Sequence, residues 1–163
     1  MPLALTLVVI GALLLRTPLG FSTSEDPLLG EAMSLENALH VDVGTLGPNP
    51  LLTPAGGPHY VNPLRQGSYD QPVSDGNAIH SLEHGMVWIT YQPDEVSEAD
   101  LQIMNDVASD FGRDVILSPR VENSSPIIIV SWGQRLTMDE PDEQLLRDFV
   151  TTNRNRSPEP GIR

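Results

Sequence analysis

The chain has 163 residues, with 22 acidic and 9 basic side chains for a net charge of −13, and no cysteine. That length holds one domain with a modest core, and 39% hydrophobic against 19% charged residues is a globular balance. The charge works against binding a phosphate backbone, so no nucleic-acid partner is expected. The lack of cysteine excludes disulfides, thiolate metal sites and a cysteine nucleophile.

The chain opens on MPLALTLVVIGALLLR, apolar without a break from Pro2 to Leu15 and closed by Arg16. A run of about 14 such residues suits the core of an export signal, whereas a full span needs ~20. The positive residues that usually precede such a core are absent, and no A-x-A cleavage pattern follows. Residues 1–21 are read as a signal or anchor segment. It would place the rest at the cell membrane on the extracytoplasmic side, or export it after cleavage. A linker over 22–38 follows, then a single domain over 39–156 and a flexible tail over 157–163.

From Val41 to Tyr69 the sequence is dense in glycine and proline, as in GTLGPNPLLTPAGGPHY. Regular structure does not run through such a stretch, because each proline removes a donor and each glycine carries an entropic cost. The aromatic Tyr60 and Tyr69 and the lone His59 suggest an ordered loop packed on the body. Next comes HSLEHG, residues His80 to Gly85. Asp75 or Asn77 can cap a short helix there, and Gly85 can end it in a left-handed conformation. On that helix His80 and His84 lie one turn apart on one face, with Glu83 beside them. Ile79 and Leu82 would pin the helix to the sheet.

MVWITY, residues Met86 to Tyr91, reads as a strand ended by Pro93. Ser97 then caps a helix to about Phe111, with Leu101, Met104, Val107, Ala108 and Phe111 on one stripe. DVILS and IIIVSW are two further strands, and the isoleucine run suggests one covered on both faces. A last helix over 142–152 presents Leu145, Leu146, Phe149 and Val150. The expected fold is α+β. It is a small mixed sheet with two main helices in the order β-α-β-β-α, preceded by the Gly/Pro-rich loop and the short histidine-bearing helix.

Imidazoles at i and i+4 can reach one metal ion, and all four histidines, His40, His59, His80 and His84, precede one strand. Two plainer readings compete. His84 can complement the helix dipole, and His80 with Glu83 can be a surface pair. H-x-x-E-H is also a zinc-peptidase pattern in which the glutamate activates water. A helix stopped at Gly85 gives no long active-site helix, and Glu140 and Glu143 are the candidates for a further carboxylate ligand. A Ser81, His80, Asp75 triad lacks a strained nucleophile turn.

At GGPHY, GSY, HSLEHG and SWG the sequence resembles the bacterial family known as domain of unknown function 3105. The resemblance covers roughly His40 to Pro160. The matching positions are Pro58, His59, Tyr60, Gly67, Tyr69, His80, Ser81, Leu82, Glu83, His84, Gly85, Trp132 and Gly133. Ala55 and Gly56 stand where the family more often has Thr-Ser, and Met86 stands where a small residue is commoner. The resemblance implies a single-pass membrane or exported protein and treats the motif as a unit. It implies no reaction.

The reading is an extracytoplasmic, membrane-associated domain that binds copper or zinc through His59, His80 and His84, with His40 as a fourth candidate. Met86, beside the motif, leans towards copper. Glu83 would orient a ligand or, in an enzyme, serve as general base. The partners are the membrane, reached through the N-terminal segment, and a membrane protein. The alternatives are a metal-free interaction module at the membrane surface and a metal-dependent hydrolase.

Overall fold

In chain order the strands and helices are β1 (Glu31–Ala32), β2 (His40–Val41), β3 (His59–Tyr60), β4 (Gly67–Ser68), α1 (Asp75–Glu83), β5 (Val87–Tyr91) and α2 (Glu98–Phe111). They continue with β6 (Val115–Pro119), β7 (Ile127–Ser131), β8 (Gln134–Met138) and α3 (Glu143–Asn153). This is a computed structural model, and it describes residues 27–46 and 52–162. The apolar segment expected over 1–21 and the start of the linker lie outside the described residues. Among the described residues no helix is long and apolar enough to cross a membrane.

The β-branched runs form the centre of a mixed six-stranded sheet, in the order β1-β8-β7-β5-β6-β4. β5 and β6 are parallel and joined through α2, while β5–β7 and β7–β8 are antiparallel. Every residue of β5, β6 and β7 is buried. Alternation along the strands sends Val87, Ile89, Val115, Leu117, Ile127 and Ile129 to a core shared with Met104, Val107, Leu146 and Phe149 of α2 and α3. The intervening Trp88, Ile116, Ile128 and Val130 face α1 and the Gly/Pro-rich segment, against Ala55, Ala78, Leu82 and Met86. Burying each such large side chain contributes about 1.5–3 kcal/mol. A second, two-stranded parallel sheet, β2–β3, lies within the irregular region.

The α+β class follows the sequence reading, with β8 added in the second half and the short β1 and β4 added at the sheet edges. The second half runs β-α-β-β-β-α, because Ser131-Trp132-Gly133-Gln134 turns β7 back into β8. Gly133 supplies the positive φ of 76° at this corner. Only Leu136 and Met138 of β8 pack against the core, so its alternation is too short to stand out.

At the ends of α1 the reading is half corrected. Ser74, not Asp75 or Asn77, occupies the N-cap, and its side chain makes no capping bond. Asp75 instead pairs with the buried Arg120 through two bonds, of 3.1 and 2.8 Å, which ties the helix start to the end of β6. Gly85 does end the helix, at φ +88°. Its N–H donates to Leu82 and that of Met86 donates to Ser81, the paired bonds of a Schellman stop.

Candidate metal centre

Three short segments, β2, β3 and α1, meet to form the cluster. β2 and β3 pair in parallel with His40 directly opposite His59. The His59 N–H donates to the Leu39 carbonyl at 2.9 Å. α1 brings His80, Glu83 and His84 against them. Its Gly76 allows this approach, because a Cβ there would stand 2.6 Å from the Tyr60 ring. Ser81 fastens the same helix to the loop, accepting from Leu64 N at 2.8 Å and donating to Leu64 O at 3.1 Å. Gly133 N donates to Ala55 O at 2.7 Å, and the Trp132 ring stands edge-on to His59 at 6.3 Å. The β7–β8 turn thus supports the loop that carries His59.

The four imidazoles form a chain of ring contacts. Centroids are 4.9 Å apart for His40–His59, 4.8 Å for His40–His80, 4.7 Å for His59–His80 and 4.5 Å for His80–His84. His40, His59, His80 and Glu83 each offer one ligand atom, all within 4.8 Å of one another. His40 is exposed at the rim, whereas His59 and Glu83 are 1% and 6% exposed. His84 falls into a neighbouring group with Glu83 and Glu159. The sequence therefore pointed to residues that do lie together, but His84 and His40 stand at opposite edges of the cluster.

Backbone carbonyls decide the protons. His59 Nδ1 lies 2.9 Å from the Gly57 oxygen and His80 Nδ1 lies 2.8 Å from the Tyr60 oxygen. A carbonyl only accepts, so both rings carry a proton on Nδ1, and in a neutral ring Nε2 is a bare lone pair. Burial lowers the pKa of His80, against the opposing Tyr60 bond, and the charges of His84, His59 and His40 lower it further. Burial likewise lowers that of His84, which Glu159 and Glu83 partly offset.

The lone pair of His80 Nε2 faces His84 Nε2 at 3.1 Å. His59 Nε2 lies 3.0 Å from Glu83 Oε2. Although close, the second contact is not aligned as a hydrogen bond. His59 Nε2 is the buried side-chain polar atom left without a partner among the described residues. With the ring neutral, two acceptors would confront each other there, and a cation between them would relieve both.

Other residues weighed from the sequence are otherwise engaged. Met86 is 3% exposed and packs in the core with Leu82 and Trp88. Glu143 pairs with Arg147 at 2.9 Å on α3, and neither it nor Glu140 joins a ligand group. Ser81 and Asp75 are held by Leu64 and Arg120. The sequence reading did not find Glu159, which lies 3.7 Å from His84. No local pattern could have shown it, since 74 positions separate the tail from the helix carbonyl that holds Ser157.

A family model described as Protein of unknown function (DUF3105) matches residues 50–163, which include HSLEHG and the loop before it. No curated protein and no solved structure matches the chain.

Proposed function

The chain belongs to this family of proteins of unknown function, DUF3105, and because the family brings no reaction we propose a function from the site alone: the domain binds one transition-metal ion, copper or zinc, through His40, His59 and His80. The observation that carries this reading is the unpartnered, buried Nε2 of His59 facing the Glu83 carboxylate. Ligand histidines usually donate their other ring N–H to a carbonyl or carboxylate, and His59 and His80 both do so, to Gly57 and Tyr60. Tetrahedral bonds of ~2.0–2.1 Å place donor atoms about 3.4 Å apart, so the present set closes with side-chain movements of about an ångström.

Glu83 decides the type of site. As fourth ligand it closes the coordination sphere, which suits storage, transfer or structure. Standing aside, it would leave three histidines and an open position for water, the arrangement of a hydrolytic centre. The contact with His59 at 3.0 Å favours the closed form. We place the domain on the outer side of a membrane, held there by or released from its apolar residues 2–15, where a membrane protein would be its partner. The support is the composition of that segment.

The test is zinc and copper binding by the purified chain beside its His59→Ala and Glu83→Gln variants. His59→Ala should abolish tight binding, and Glu83→Gln should weaken it about 10- to 100-fold. A wild-type chain that holds no metal after dialysis against micromolar zinc or copper would overturn the reading.

A further inference from the structure

The tail after α3 returns to α1 and seats itself on the two residues that end the ligand-bearing turn. Ser157 Oγ donates to the Glu83 carbonyl at 2.6 Å, and the Glu159 N–H donates to the same oxygen at 3.1 Å. The Gly161 N–H donates to the His84 carbonyl at 3.1 Å. These are the last carbonyls of a helix, which need donors from outside it. Pro158 and Pro160 flank Glu159, and Pro160 disfavours helical geometry at it. Glu159 is thus an exposed side chain on a fixed backbone, and its carboxylate points to His84 at 3.7 Å.

We propose that Glu83, His84 and Glu159 form a second cation position, which shares the Glu83 carboxylate with the three-histidine position and takes a divalent transition-metal ion. This inference rests on the metal-binding reading above. Their ligand atoms lie within 4.8 Å of one another, and Glu83 belongs to both groups. A carboxylate has two oxygens, so one can serve each ion, and carboxylate-linked pairs of ions sit about 3.5–4 Å apart.

The contact between His80 and His84 supplies the link. With the His80 proton fixed on Nδ1, the 3.1 Å contact is a bond from His84 Nε2–H to the His80 lone pair. An ion in the first position takes that lone pair and displaces the proton donor. His84, losing its partner, then has Glu83 and Glu159 beside it, and its Nε2 proton passes to solvent as that nitrogen takes the second ion. Filling the first position therefore prepares the second. Glu83 lies at the end of α1 and Glu159 in the tail after α3, so the pair of ions would bridge helix and tail.

Equilibrium dialysis of the full chain against zinc, with elemental analysis, should give two ions per chain. Glu159→Gln and His84→Ala should each reduce this to one. The tail is docked through backbone groups and Ser157, so the Glu159 variant keeps its fold. With copper(II), a half-field resonance in the electron paramagnetic spectrum should appear at two equivalents and be absent at one. A wild-type chain that binds a single ion, or two ions retained in both variants, overturns the second position and leaves the first standing. A wild-type chain that binds none overturns both.

Discussion

At the scale of single residues, the centre depends on where two protons sit. Gly57 and Tyr60 hold them on the Nδ1 atoms of His59 and His80, and each ring presents its other nitrogen to the cluster. Burial disfavours the charged form of His80 and of His84, so their folded pKa values fall below 6.5. The unfolded chain then binds more protons than the folded one between those lowered values and 6.5. Stability rises with pH wherever that holds. The metal-free domain should be most stable above pH 6.5 and lose stability as the pH falls through that value towards the folded pKa values. Thermal unfolding of chelator-treated protein between pH 7.5 and 5 measures this. A melting temperature that climbed on acidification would contradict the assigned neutral rings. Metal affinity should fall over the same range, because the ligand nitrogens must be unprotonated.

At the scale of elements, α1 gives the centre its shape. It starts at an ion pair with Arg120, ends in a glycine stop, and passes through Gly85 and Met86 into the buried strand β5. Gly76 has the closest neighbour. Alanine is the better helix former by about 1 kcal/mol, yet its Cβ would meet the Tyr60 ring at 2.6 Å. Gly76→Ala should push Tyr60 away, pull its carbonyl from His80 Nδ1, and weaken zinc binding by about tenfold or more. Competition with a chromophoric chelator reads this change, and circular dichroism checks that the helix persists; unchanged affinity would mean that Tyr60 does not orient His80.

The parts of this framework that the sequence made legible are those whose signals are local. The stripe of α2, the β-branched strands and the Gly85 stop each sit within a dozen residues. The pairing of β2 with β3 is two residues long and its partners are 19 positions apart, so no periodicity betrays it. The segment after Asn155 reads as loose from its prolines, yet its N–H groups answer the open carbonyls of α1. His59 and His80 could be suspected from type and spacing. The role of Glu159 could not, because it arises only when the chain returns.

At the scale of the whole molecule, the ligands come from β2, β3 and α1, which are brought together only by folding. The unfolded chain offers no comparable set, so an ion in the proposed centre would bind the native state and stabilise it by mass action, by about 2.7 kcal/mol at a hundredfold excess over the dissociation constant. In a domain of this size that corresponds to a rise in melting temperature of roughly 5–10 °C. Differential scanning calorimetry with and without saturating zinc checks it, and no shift at saturation would show that the native arrangement is not what binds. The net charge of −13 draws cations to the surface, so capture should slow as ionic strength rises.

In the proposed centre the pairing of β2 with β3 would also govern how long an ion stays. His40 is held at the rim by a ladder of two residue pairs, while His59, His80 and Glu83 are anchored in the body. So short a ladder opens locally at far smaller cost than the whole domain. Ligands leave an ion one at a time, and the arm to swing away first would be the one carrying His40. A bound ion can then pass to a competing chelator through this opening while the sheet stays intact. Residence time and fold stability would then be set by different parts of the molecule, so that even a buried centre would exchange its ion quickly.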